Sequence, residues 1–302
     1  MTRGGEVVAS NRVRRQASPA PFWETSSARL ARSEVPSGQG ALGRPHQERR
    51  SRADPHQPTR VPEGGQQAYH VNVSGQAIVH KFDIETRPSD STLVDHVWRA
   101  QADRPGSFIS VASVHCQIVV TRHQKRTFLT LRGPETRPTV MHFPAGAAWF
   151  GIDLRLGAFL PEFPPRRLLD QHDATLPAAT SQSFWLHGSA WPLPTFDTAD
   201  VFVRRLERER LLLLDPLVEA VRAGQAPELS VRTVQYRFLR ATGLSHSLVR
   251  QIERARAAAE LLRRGMPVLD VVDAAGYFDQ PHLTRSLTRF VGQTPAQIAL
   301  GD

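Results

Sequence analysis

The sequence has one cysteine, Cys116, and two lysines, Lys81 and Lys125, in 302 residues. A single thiol excludes an intramolecular disulfide and any zinc site built on paired thiolates. No apolar run reaches the roughly 20 residues of a membrane-spanning helix. The first residues are basic but lack the apolar segment of a secretory signal. They are rich in Arg and Ser, as transit peptides are, yet Glu6, Glu24 and Glu34 count against that reading. A cytoplasmic protein with no membrane partner is the expectation. There is no phosphate-cradling glycine loop and no Gly-x-Ser-x-Gly elbow. His70, His80, His96, His115 and His142 follow no metal-ligand spacing. His115 and Cys116 are adjacent, so on a strand they point to opposite faces and cannot form a catalytic pair. Catalysis, a metal and a cofactor are therefore not expected.

What the chain does have is arginine. It accounts for nearly all of the 38 basic residues and for a formal charge of +9. Such a charge favours an anionic partner, but a GC-rich genome explains most of the arginine usage, so charge alone says little about function. Residues 1–66 scatter Pro19, Pro21, Pro36, Pro45, Pro55, Pro58 and Pro62 among Gly, Ser, Gln and Arg with no sustained period. That composition predicts a disordered tail. Its basic clusters, Arg12, Arg14, Arg15 and Arg49, Arg50, Arg52, read first as a solvated tail or as the product of a start codon placed too early, with nonspecific affinity for a polyanion as the alternative.

Residues 67–195 change to strand periodicity. Ser107 to Val114, Cys116 to Arg122, Arg126 to Arg132, Arg137 to Phe143 and Ala147 to Leu154 are β-branched or aromatic runs separated by turn signals such as His123-Gln124-Lys125 and Gly133-Pro134. Short, regular spacing predicts an antiparallel barrel or sandwich. Asp95 to Ala102 reads as a helix with Val94 and Val97-Trp98 on one face. Residues 196–214 read as a linker helix whose stripe is Val201, Phe202, Leu206 and Leu213. The fold class expected is α+β: a β-rich sensing or oligomerising domain, then an all-α domain over 215–302.

The most specific pattern lies in that last region. Gly276 ends an apolar segment, and Asp279-Gln280-Pro281-His282-Leu283-Thr284-Arg285 opens a short helix. Leu283, Leu287 and Phe290 recur at i, i+4 and i+7 as a buried stripe. Gln280, Thr284, Arg285 and Thr288 then lie largely away from it, and these residue types can read base edges or hold phosphates. Upstream, Ser230 is placed to cap a helix anchored by Val234 and Phe238, with Arg232, Gln235 and Tyr236 on its other face. His246 to Arg264 reads as one long helix with Leu248, Ile252, Ala255, Ala259 and Leu262 inside. At 1.5 Å per residue it spans roughly 28 Å, against roughly 34 Å between successive major-groove faces.

These residues resemble the signature of the AraC/XylS family of bacterial transcription regulators over about residues 215 to 299: Gly276-Tyr277, Asp279, Leu283-Thr284-Arg285 and Gly292-Gln293-Thr294-Pro295, preceded by Leu229 to Phe238 and Thr242-Gly243-Leu244-Ser245. The resemblance implies a double helix-turn-helix domain that sets two recognition helices in adjacent major grooves. Base-reading places fall on Arg232, Gln235 and Tyr236 in the first helix, and on Gln280, His282, Thr284 and Arg285 in the second. Arg289 and Arg237 fall at phosphate or structural places. Double-stranded DNA is the implied partner, with RNA polymerase, a second copy of the chain and an unidentified small-molecule effector as further ones. An effector would act by changing domain orientation or dimer geometry.

The chain departs from the pattern at Tyr236, where the family often has Arg, and at His246, which replaces Pro. Asp215 to Glu228 holds room for one helix where the family places two. Either the helix from Phe196 supplies the missing element, or the first motif is degenerate. Two alternatives to a regulator stay open at this point. One is a small-molecule-binding or enzymatic β-barrel with a structural helical tail. The other is a degenerate regulator acting through protein contacts.

Overall fold

The computed structural model describes residues 83–225 and 228–300. The expected tail, with its basic clusters, and the first part of the expected β-region lie outside the described residues. An antiparallel β-region is followed by a helical region.

The main sheet has six strands in the order β1 (Asp83–Arg87), β2 (Val94–Ala102), β7 (Ala147–Leu154), β4 (Gln117–His123), β5 (Arg126–Arg132) and β9 (Ala174–Thr175), all antiparallel. One face is covered by the pair β3 (Gly106–Ser110) and β6 (Thr139–Phe143). Between them lie Trp98, Ala100, Phe108, Val119, Phe143 and Trp149. The other face packs Val97, Ile118, Val120, Leu129, Phe150 and Ile152 against two elements. These are the meander β10 (Ala178–Thr180), β11 (Ser183–Leu186), β12 (Ser189–Pro192) and the helix α1 (Ala199–Arg208). The result is a sandwich with unequal layers. Gln124, at φ 55°, turns the chain between β4 and β5 where the turn signal stood.

Asp95 to Ala102 is strand and not helix: β2 pairs with β1 on one side and β7 on the other. The segment is short enough that Val94, Val97 and Trp98 satisfy either period, and hydrogen bonding to two neighbours decides it. The linker helix is also shorter than expected. It covers Ala199–Arg208 and buries Ala199, Phe202, Val203 and Leu206. Phe202 meets Phe184 and Trp191 edge-on at 6.2 and 6.1 Å. Val201, expected on the inner stripe, is 61% exposed. Leu213 and Leu214 form a two-residue strand, β13, paired with β8 (Ala158–Phe159). The element thus belongs to the β-domain, and the salt bridge of Arg87 with Asp200 (2.8 Å) ties it to β1.

The helical region comprises α2 (Leu217–Arg222), α3 (Val231–Thr242), α4 (His246–Arg263), α5 (Val268–Ala274), α6 (Gln280–Phe290) and α7 (Pro295–Leu300). Only α2 precedes α3, and α1 is buried elsewhere, so α1 does not supply the missing helix. The β-domain does. Val111, Ala112, Val114, Leu156 and Phe159 join Phe238, Val249, Ile252, Leu283, Leu287 and Phe290 in one continuous core. Gly157, at φ +95°, sits so close to α2 that an added Cβ would lie 2.9 Å from Val218. The Ala112 amide donates to the Phe290 carbonyl at 2.8 Å. A polar chain also reaches this joint. Arg132, 2% exposed, bonds Gln117, and Gln117 donates to Asp153 at 2.9 Å. Asp153 is fully buried, and its charge acts on Arg256 of α4.

Candidate nucleic-acid interface

Two helix–turn–helix units are built from local sequence signals. In the first, the Ser230 hydroxyl accepts from the Thr233 amide at 3.2 Å and starts α3. Gly243 ends it in the left-handed region at φ +73°. In the second, Gly276 closes α5 at φ +67°, and the Asp279 carboxylate caps α6 by accepting from the His282 amide at 2.6 Å. Pro281 sits in the first turn of α6, where its missing N–H costs no helical bond. The rod between the units, α4, has 18 residues, or about 27 Å at 1.5 Å per residue. It is capped by Ser245 and buries Val249, Ile252, Ala255, Ala258, Ala259 and Leu262.

On α3, the positions of Arg232, Gln235 and Tyr236 are within about 100° of arc at 100° per residue, opposite buried Phe238 and Ala241. All three are exposed, Tyr236 at 64%. Arg237 is a structural arginine. It pairs with Asp215, which also accepts from the Leu217 amide at the start of α2 and whose own amide donates to Gly157. That one aspartate holds α2, α3 and the β-domain together.

The five predicted positions on α6 do not share one face. Arg285 is exposed and stands opposite the Leu283–Leu287–Phe290 stripe. Gln280 and Thr284 leave on one flank, His282 and Arg289 on the other. The Thr284 hydroxyl is spent on the Gln280 carbonyl (2.9 Å), and the His282 ring packs edge-on against Tyr277 at 5.1 Å. Arg289 has its guanidinium 4.8 Å from the Phe290 ring centroid.

The second flank opens into a solvent-facing groove of about 930 Å³ between α4 and α6. It is lined by His246, Arg250, Arg254, His282, Arg285 and Arg289, among others. Arg250 and Arg254 were not singled out by the sequence reading. Their signal was present: they are one turn apart on the polar side of α4, and the carboxylate at helical spacing there, Glu253, pairs with Arg222 instead. Phe278 is 90% exposed in the turn before α6 and was also missed. Tyr277 is buried, with its hydroxyl on Ser286, so its neighbour faces out.

Among the described residues of the β-domain no cluster of three or more His, Cys, Asp or Glu is arranged to hold a metal. Burial, reinforced by the nearby Asp173 carboxylate, pushes the Cys116 thiol up to about 12, so at neutral pH it is not a nucleophilic thiolate. Among the described residues no helix is long and apolar enough to cross a membrane.

A model described as a helix-turn-helix domain matches residues 225–299. The residues that resemble the AraC/XylS signature lie almost wholly within this matched segment, about a quarter of the chain. The HTH-type transcriptional regulator RipA of Corynebacterium glutamicum is 36% identical to this chain over 74 residues, 24% of the chain and 22% of RipA. The match thus spans about a fifth of that relative's length. Among solved structures, ToxT of Vibrio cholerae O395, bound to (E)-4-(8-methylnaphthalen-1-yl)but-3-enoic acid, aligns with 73% of the chain and 99% of its own, at 8% identity and a TM-score of 0.32. A second ToxT structure, in a P21 crystal form, aligns at 8% identity and a TM-score of 0.31, covering 73% and 98%.

Proposed function

We propose that the chain is a sequence-specific DNA-binding transcription regulator that sets α3 and α6 in adjacent major grooves of one duplex. The observation that carries this is the pair of capped helices, each with exposed hydrogen-bonding side chains, fixed at the two ends of a single rod of about 27 Å. Arg232, Gln235 and Tyr236 read one half-site, and Gln280 and Arg285 the other. His282 and Thr284 contribute through what their internal contacts leave free, and Arg289 faces phosphate. The protein acts in the cytoplasm and is not an enzyme. RNA polymerase and a second copy of the chain are its further partners, and a small-molecule effector acts through the β-domain.

Selection from a random duplex library with the purified chain, followed by titration of Arg285→Ala, tests this. Loss of a bidentate base contact costs on the order of 1–3 kcal/mol, or roughly 5- to 150-fold in affinity for the selected site. Scrambled DNA should be affected much less. An equal loss on both duplexes removes Arg285 from base reading, and a library that yields no enriched sequence removes the whole proposal.

A further inference from the structure

The groove between α4 and α6 holds more positive charge than its surroundings neutralise. Arg250, Arg285 and Arg289 line it, and none of them makes an ion pair among the described residues. Arg254 is committed to the fold: its guanidinium donates to the Gly276 carbonyl at 3.3 Å and lies over the Tyr277 ring at 4.5 Å. The carboxylate lining the groove, Glu253, is held by Arg222 of α2 at 2.9 Å. Three guanidinium groups therefore face one open groove against a single carboxylate that is already bonded to Arg222. Like charges so placed repel one another, and an anion between them relieves that repulsion. Guanidinium groups bind phosphate through paired N–H donors.

The position of the groove selects the kind of anion. α4 is the rod between α3 and α6, and Arg250 lies on its first half, beside α6. If the two recognition helices occupy neighbouring major grooves, the sugar–phosphate backbone between those grooves crosses this rod. An open groove running along two helices fits a polyanionic strand better than a small enclosed anion. We propose that the α4–α6 groove seats DNA phosphates, with Arg250 and Arg289 as backbone contacts and Arg285 turned outward to the bases. This rests on the duplex-binding reading above. It adds Arg250 of α4, which lies on neither recognition helix, to the DNA-binding surface.

Salt dependence separates the two roles. The full chain is titrated onto a selected duplex and a scrambled duplex at salt concentrations between about 50 and 200 mM. Each phosphate contact contributes about 0.9 to the slope of log affinity against log salt. Arg250→Ala and Arg289→Ala should each reduce the slope by about that amount and weaken both duplexes by the same factor. Arg250→Lys, which keeps the charge, should restore the slope. Arg250 is exposed and makes no ion pair among the described residues, so a thermal melt of Arg250→Ala should match the parent.

An unchanged slope in both alanine variants overturns the proposal. If acidic polypeptide binding is lost in the same variants, the groove is a protein seat instead. If no sequence is ever selected but the slope still falls in both variants, the phosphate seat stands and base reading fails.

Discussion

The two helix–turn–helix units share a plan but differ in what holds them. The second leans mostly on its own helices. α6 packs on α4, Asp279 and Tyr277 fix its start, and the β-domain meets it at its end, where the Ala112 amide donates to the Phe290 carbonyl and Gly292 lies against Pro138. The first has a six-residue α2 and borrows the rest of its support. α3 lies against Pro165–Arg167 and β8, Arg237 is clamped by Asp215, and Val218 rests on Gly157. A recognition helix can be positioned by neighbours from another domain where its own partner helix is too short. The difference also means that the placement of α3 depends on the β-domain more than that of α6.

Core substitutions test the comparison most severely. Phe238 and Phe290, each 1% exposed, anchor the two units. Truncating either to Ala should cost about 3–5 kcal/mol of unfolding free energy, measured by denaturant titration. Because both belong to one core, the loss should appear in a single transition. Two separate transitions would show that the units fold independently and would break the comparison.

Asp215→Ala should have an intermediate effect. It removes the carboxylate's bond to the Leu217 amide at the start of α2 and the clamp on Arg237, for a total of about 1–3 kcal/mol. Footprinting on the selected duplex should show weakened protection at the α3 half-site while the α6 half-site is retained. Equal weakening of both would mean that the first unit does not lean on this joint.

The smallest effects come from the caps. Ser230→Ala and Asp279→Ala should each cost about 1 kcal/mol in thermal melts. Asp279 should cost a few tenths more, because its charge also meets the N-terminal end of the helix dipole. Each loss should be felt at its own half-site. A Ser230 effect as large at the α6 half-site would show that the rod transmits strain between the units.

Much of this was legible in the chain. Ser230 and Gly276 announced the two recognition helices, because caps and left-handed stops are local chemistry that tertiary structure seldom overrides, while the stop at Gly243 and the cap at Asp279 were quoted only as parts of the family pattern. The strands from β4 to β7 were legible for the same reason: β-branched runs lay between clear turns. β2 was not, because nine residues carry too few periods to separate strand from helix before their partners are known. Nor was the true face of α1, where Val201 and Val203 are equally apolar and only the packing of Phe184 and Trp191 chooses Val203. On α6 the residue types were right for base reading, but no pattern in the sequence shows that the Thr284 hydroxyl returns to its own helix or that the His282 ring settles on Tyr277. The α4–α6 groove joins residues of two helices that are 28 or more apart in sequence, so its charge becomes apparent only once the helices are packed.

The core runs without a break from Val111 of the β-domain to Phe290 of α6. A reading head on a flexible tether can be switched by letting go of it, but this one is welded to the sheet beside it. If the sheet takes the proposed effector, the change must reach α3 as a small tilt or twist of a stiff joint, which would alter the spacing between the two probes more readily than their freedom.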